Sequence, residues 1–204
     1  QDCFVNETFN KLYRKFCPGP LTFVLNKKKN SKISKYVNAN KKTIAVRFPK
    51  NNITQNLLSK LNFPLAAPSA NISSKLSPVT IADVKDEFGN KIKSILNGGK
   101  TKIGLESTVI DLSDKISILR PGGITIEQLE KVLHRKLKLK NSLNNIKSPG
   151  QLGLHYSPGI PLRLNAQYLK KNEAFLQFSG KTKNKKNYFT LSKRGNMKEA
   201  AKNL

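Results

Sequence analysis

The chain has 204 residues, with 38 Lys and Arg against 12 Asp and Glu, a formal net charge of +26, 37% hydrophobic residues and 7% aromatic ones. About 70% of the unfolded surface can be buried at this length, which argues against disorder throughout and makes a core feasible without disulfides or metals. A positive surplus of this size points to polyanionic partners such as nucleotide, RNA or anionic lipid, although Lys supplies 32 of the 38 cations and Asn adds 22 residues, the signature of a compositional bias spread over the chain. Between residues 8 and 82 there is no acid at all, while Lys and Arg occur 14 times. A cleft lined by that stretch would carry a focused positive potential. Cys3 and Cys17 are too few and too widely spaced for a disulfide scaffold or a metal knuckle, which fits a reducing cytoplasm. His134 and His155 show no HExxH pattern, no apolar run reaches the ~18 residues of a membrane span, and no signal peptide opens the chain.

Asn6 caps a predicted helix with Phe9, Leu12, Tyr13 and Phe16 on one side, ending before Pro18. LTFVL (21–25) and TIAVRF (43–48) read as buried strands separated by a Lys/Asn/Ser loop. Residues 50–61 read as a helix with Ile53, Leu57, Leu58 and Leu61 on one face, and Thr80 with Asp83 starts another through a capping box. SIL (94–96) is expected as a short strand. STVIDL (107–112) and ISILR (116–120) form a hairpin, after which Thr125 and Gln128 cap a helix carrying Ile126, Leu129, Val132 and Leu133. A hairpin within an alternation of strands and helices predicts a mixed sheet. Residues 136–161 read as a linker that packs across a surface, because Leu152, Leu154, His155 and Tyr156 sit among its Pro-Gly turns. LRL (162–164), AFLQF (174–178) and NYFTL (187–191) read as strands, with a helix from Met197.

No GxSxG, CxxC, P-loop or GxGxxG pattern is present, so chemistry here would rest on positioning and electrostatics, as in phosphate chemistry. AAPSAN (66–71) places Ser69 and backbone N–H groups where they can meet an anion, and reads equally as an ordinary turn. Arg47 is a rare Arg among lysines, suited to forked carboxylate or phosphate contact or to a salt bridge at a strand end. Ser107 and Thr108 start a strand, where propensity alone would also put them. Arg120 precedes a Pro-Gly-Gly turn, as a phosphate clamp or a surface charge, and Tyr156 can stack on a base or fill an interdomain gap.

In order, PGPLTFVL, AVRFP, PLAAPSANISSKLSP, GLESTVIDL, ILRPGG and SPGQLGLHYSPG resemble the YrdC-like family in its two-domain form, over residues 18–159. The resemblance implies an α/β fold with a twisted mixed sheet and flanking helices over residues 1–135, a linker and lid at 136–161, and a truncated Rossmann-like unit at 162–204. It implies a nucleotidyltransferase that converts ATP, L-threonine and bicarbonate to threonylcarbamoyl-AMP and pyrophosphate with Mg²⁺, feeding the machinery that modifies tRNA. Carried over residue by residue, it puts Arg47, Ala67 and Ser107 around L-threonine, and Thr43, Ser69, Ser77, Arg120 and Tyr156 around ATP.

Two departures qualify it. The family's N-terminal Lys-Arg motif has no counterpart before Cys17, and Cys17 stands where an aromatic residue usually precedes Pro-Gly-Pro. The expectation is that these 204 residues alone are inactive and poorly stable. The competing expectation is a YrdC-like module that binds RNA or the ribosome through its basic face without catalysis.

Overall fold

The computed structural model describes residues 1–72, 75–140, 159–180 and 186–204. Its main element is a five-stranded mixed sheet of β1 (Leu21–Asn26), β2 (Thr43–Arg47), β3 (Thr108–Asp111), β4 (Ser117–Arg120) and β5 (Lys138–Leu139), ordered β2-β1-β3-β4-β5. β1 pairs antiparallel with β2 and parallel with β3, and β3 and β4 form the expected antiparallel hairpin, with a register shift between Val109 and Ile110. The β-branched and aromatic content of LTFVL and TVID suits strands at the centre of a sheet. Leu21, Phe23 and Val24 on β1 are fully buried, as are Thr108 and Ile110 on β3.

One face of the sheet packs on helices α1 (Glu7–Phe16) and α4 (Ile126–Leu133). The side chain of Asn6 accepts from Phe9 N to start α1, and Thr125 and Gln128 close a capping box on α4. Phe9 and Leu12 of α1 and Leu129 of α4 meet Leu21, Phe23, Leu25, Ile110 and Ile118 in one core. Phe9 sits edge-on to Phe23, with ring centroids 4.8 Å apart, and Tyr13 sits edge-on to Phe48 at 4.9 Å. Each fully buried side chain of this core, such as Phe23 or Leu12, contributes about 1.5–3 kcal/mol. The opposite face carries a smaller cluster of Val24, Val109 and Leu119.

Four expectations need correction. The second strand is an edge, not a buried strand: in β2 only Ile44 is buried, because its outer side has no neighbour. The predicted helix at 50–61 forms as α2 (Asn52–Ser59), yet Ile53 and Leu57 are exposed and no residue in it is buried. Its amphipathic pattern finds no opposing surface among the described residues. SIL forms no strand, and Leu96 is exposed. LRL forms none either: Leu162 and Leu164 are exposed and have no pairing strand among the described residues. By contrast α3 (Ile81–Phe88) has the Thr80–Asp83 capping box. Val79 and Thr80 backbone N–H groups, with the Thr80 hydroxyl, hold the Asp83 carboxyl below its ordinary 3.8.

In the C-terminal part, β6 (Phe175–Ser179) and β7 (Tyr188–Ser192) pair in parallel, and α5 (Met197–Asn203) follows. Ser192 Oγ donates to Glu199 at 2.6 Å and accepts from Asn196 N at 2.8 Å, which ties the start of α5 to the end of β7. No helix among the described residues is long and apolar enough to cross a membrane. Leu129→Ala should cost about 2–5 kcal/mol in thermal or urea unfolding, through lost burial and the cavity left behind. Leu57→Ala, on the uncovered face of α2, should cost less than about 1 kcal/mol.

Candidate anion-binding site

Strand register lines up one row of residues across the sheet. Arg47 is opposite Thr22, Thr22 is beside Val109, and Val109 is opposite Arg120. Three strand spacings put the two arginine backbones about 14 Å apart, within reach of a common centre for two long side chains. The row lies where β1 and β3 begin and where β2 and β4 end. A mixed sheet thus gathers amino and carboxyl strand ends on one edge, whereas a purely parallel sheet would offer only carboxyl ends.

At that centre Ser107 and Thr22 hydroxyls are 2.8 Å apart. Arg120 donates to the Ser107 carbonyl through Nε at 3.1 Å and Nη2 at 2.9 Å, and Nη2 also reaches Ser107 Oγ at 3.0 Å. Arg47 donates through Nε to Gly19 O at 3.4 Å. Desolvation lowers the Arg47 guanidinium from its ordinary value, Arg120 acts in the same direction, and Glu106 opposes both. The Arg47 guanidinium nevertheless stays charged at neutral pH. Ser77, from the loop before α3, donates to Glu106 Oε1, and Arg120 Nη2 lies 3.6 Å from Glu106 Oε2.

Tight backbone packing holds this arrangement. A Cβ on Gly122 would come 2.6 Å from Ser107 C and from Thr108 N, so the Pro-Gly-Gly turn needs glycine there to close on the start of β3. Thr108 is structural: its buried hydroxyl donates to Ile124 O and accepts from Ile124 N at 3.0 Å. Gly104, with φ of +74°, lies against α5, where an added Cβ would meet Lys202 Cα at 3.1 Å. The loop into Ser107 is therefore braced by the C-terminal helix.

Of the residues expected in a site, the structure brings together Arg47, Ser77, Ser107 and Arg120. Thr43 is at the far end of β2, four residues or about 13 Å from Arg47. Ala67 and Ser69 lie in the exposed loop between α2 and α3. Tyr156 lies outside the described residues, as does most of the segment expected to act as a lid. Sequence reasoning missed Glu106 and Thr22. The signal for Glu106 was its sign, a carboxylate inside GLESTV in an acid-poor chain; Thr22 carried none, being one more β-branched residue in a strand.

Burial pushes the Cys3 and Cys17 thiols up, which keeps both protonated at neutral pH and removes them as nucleophiles. Among the described residues no group of three or more His, Cys, Asp or Glu converges on a metal position. The arrangement gathers two guanidiniums with the hydroxyls of Thr22, Ser77 and Ser107, a candidate site for a small anion.

Comparison with known proteins gives the family. A Sua5/YciO/YrdC family model described as "Telomere recombination" matches residues 2–122, and one described as "Threonylcarbamoyl-AMP synthase, C-terminal domain" matches residues 124–204. The chain belongs to the Sua5/YciO/YrdC family, in the form that carries the second domain. It is 41% identical over 160 residues to a threonylcarbamoyl-AMP synthase of Pyrococcus abyssi, covering 76% of this chain and 46% of the relative. It is 39% identical over 162 residues to the threonylcarbamoyl-AMP synthase of Bacillus subtilis, covering 78% and 46%. A crystal structure of P. abyssi Sua5 complexed with L-threonine superposes with a TM-score of 0.84 at 32% identity, over 98% of this chain and 64% of that one. Escherichia coli YciO gives 0.55 at 27% identity, over 63% of this chain and 62% of that one. The chain spans about half the length of the curated relatives it matches.

Gly122→Ala should lower stability by about 1–3 kcal/mol, because backbone must shift to admit the methyl group. Since the displaced backbone is that of Ser107 and Thr108, anion binding should weaken in the same variant. Unfolding and pyrophosphate titration of one preparation check both effects.

Proposed function

We propose that the chain belongs to an ATP-dependent nucleotidyltransferase, an L-threonylcarbamoyladenylate synthase, that forms threonylcarbamoyl-AMP from ATP, L-threonine and bicarbonate and releases pyrophosphate. The observation that carries this is the convergence of Arg47, Arg120, Ser77 and Ser107 at one edge of the sheet, in a chain 41% identical to a protein named for that activity. The product would supply tRNA threonylcarbamoyladenosine modification in the cytoplasm, through separate transfer machinery. Residues 1–135 would form the catalytic unit, 136–161 a linker and lid, and 162–204 part of a second unit. Packing of α4 on α1 keeps residues up to 133 in the catalytic unit, whereas β5 pairs with β4 and Leu137 packs on the core, so the sheet runs to residue 139 and the linker would begin after it and not at 136.

Arg47 and Ser107, with Ala67, would hold L-threonine, its carboxylate on the guanidinium. Arg120 and Ser77, with Thr43, Ser69 and Tyr156, would hold ATP. The threonine nitrogen attacks the bicarbonate carbon, a C–O bond breaks and water leaves, and an oxygen of the resulting carbamate attacks the α-phosphorus. The bond from that phosphorus to the bridging oxygen breaks, and the electron pair leaves on pyrophosphate. Arg120 and Arg47 favour the step by lying where negative charge gathers, and no enzyme side chain needs to form a covalent bond. With one carboxylate in the cluster, the donor set fits Mg²⁺ that arrives on the triphosphate, facing Glu106 at most, and not a resident metal. When bound, it would neutralise phosphate charge.

RNA contact is a second reading, favoured by the β1–β2 loop. Seven lysines lie between positions 27 and 42 without an acid, and Tyr36 is 86% exposed. If that loop binds RNA, replacing Lys29, Lys32, Lys35 and Lys41 by Ala should flatten the salt dependence of binding by about three to four charges in a filter-binding titration. An unchanged slope rejects it.

The first assay is pyrophosphate release from ATP with L-threonine and bicarbonate, using the 204 residues and a form extended at its N-terminus by the corresponding segment of the B. subtilis relative. The extended form should be active and the shorter one nearly inactive. Arg47→Ala and Ser69→Ala should each lower kcat/KM at least about a hundredfold, some 2.7 kcal/mol of transition-state stabilisation. An extended, folded protein that releases no pyrophosphate removes the synthase assignment.

A further inference from the structure

The proposed reaction gives Glu106 no substrate to hold, yet its carboxylate touches the groups assigned to anions. Ser77 Oγ donates to Oε1, Arg120 Nη2 is 3.6 Å from Oε2, and Arg47 is stabilised as a cation by the same carboxylate. A side chain of the protein itself thus stands where a ligand's negative charge would be needed.

The attachment is asymmetric. The Glu106 backbone is fixed, because its carbonyl accepts from Gly123 N at 2.8 Å. Its carboxylate is held more loosely: 3.6 Å to Arg120 is a charge contact beyond hydrogen-bond distance, between side chains 19% and 27% exposed. Arg120 does not depend on Glu106 for its orientation, since Nε and Nη2 already grip the Ser107 carbonyl and hydroxyl at 2.9–3.1 Å. The carboxylate can therefore swing away by rotation about its own side-chain bonds and leave both cations and the Ser77 hydroxyl in place.

The geometry points to Glu106 as a displaceable internal anion: it neutralises Arg47 and Arg120 and occupies Ser77 while the site is empty, and a polyphosphate group takes its place. This rests on the assignment of Ser77 and Arg120 to the nucleotide phosphates. A carboxylate already seated on Ser77 and beside Arg120 also sets a threshold of charge. A monoanion gains little by replacing it, whereas a polyanion such as pyrophosphate gains the surplus, so the site discriminates against weakly charged anions.

The test is calorimetric titration of pyrophosphate, in metal-free buffer so that only anion competition is read, into the wild-type chain and the Glu106→Gln, Ser77→Ala and Arg120→Ala variants. Glu106→Gln keeps the size and removes the charge. It should bind pyrophosphate about tenfold more tightly, equivalent to about 1.4 kcal/mol, and should begin to bind acetate. Ser77→Ala and Arg120→Ala should bind pyrophosphate more weakly. If those two weaken binding while Glu106→Gln is unchanged or weaker, the displacement idea is overturned and the anion site stands. If all four bind alike, the site assignment itself fails. Should Glu106→Gln not fold, Glu106→Asp, which draws the charge back by one methylene, is read in the same way. The wild-type protein gives an independent answer, because a structure bound to pyrophosphate must show the Glu106 carboxylate off Ser77, and one that keeps the contact overturns the proposal.

Discussion

Strand register is the constraint on which the site depends. Arg47, Thr22, Val109 and Arg120 come from three well-separated parts of the chain, and only the β2–β1–β3–β4 pairing sets them in one row. A slip of one residue in β1 would turn Thr22 toward the helices and Leu21 or Phe23 toward the site. The core on the other face resists that slip. Leu21, Phe23 and Leu25 are locked against Phe9, Leu12 and Leu129, so the register that buries the apolar side chains is also the one that aligns the two arginines.

Like charges so placed require compensation. Arg47 and Arg120 disfavour one another, and the Glu106 carboxylate beside both opposes that repulsion. Backbone supplies the rest: the Ser107 carbonyl takes two N–H groups from Arg120 and Gly19 O takes one from Arg47. The site is thus held by a few polar contacts on a rigid edge, with glycine at position 122 permitting the close approach of two backbone segments. Such preorganised charge is what a phosphate or carboxylate ligand meets without further rearrangement of the scaffold.

Much of the fold was legible because its signals were local. Asn6, Thr80, Thr125 and their partners announced three helices, and the polar spacer at 113–115 announced the hairpin. The failures share a cause. Ile53, Leu57, Leu96 and Leu162 have the right type and spacing to be buried, but burial needs an opposing surface, which periodicity does not report. For the site, single rare residues such as Arg47 and Arg120 stood out against a lysine background. Glu106 did not, because its meaning lies in two guanidiniums and a hydroxyl that are distant in sequence.

The amino-acid sequence by itself determined the α/β class with a mixed sheet, the capped helices and, through six ordered motifs, membership of the Sua5/YciO/YrdC family, since each is written in neighbouring residues. Tertiary structure alone decided which strand is the edge, that amino and carboxyl strand ends share one rim, and that an acid sits beside Arg120 and Ser77. Those facts arise from pairing across 85 to 87 residues of chain, such as Thr22 with Ser107 and with Val109, where the free energy of the whole core and not any local preference selects the partner.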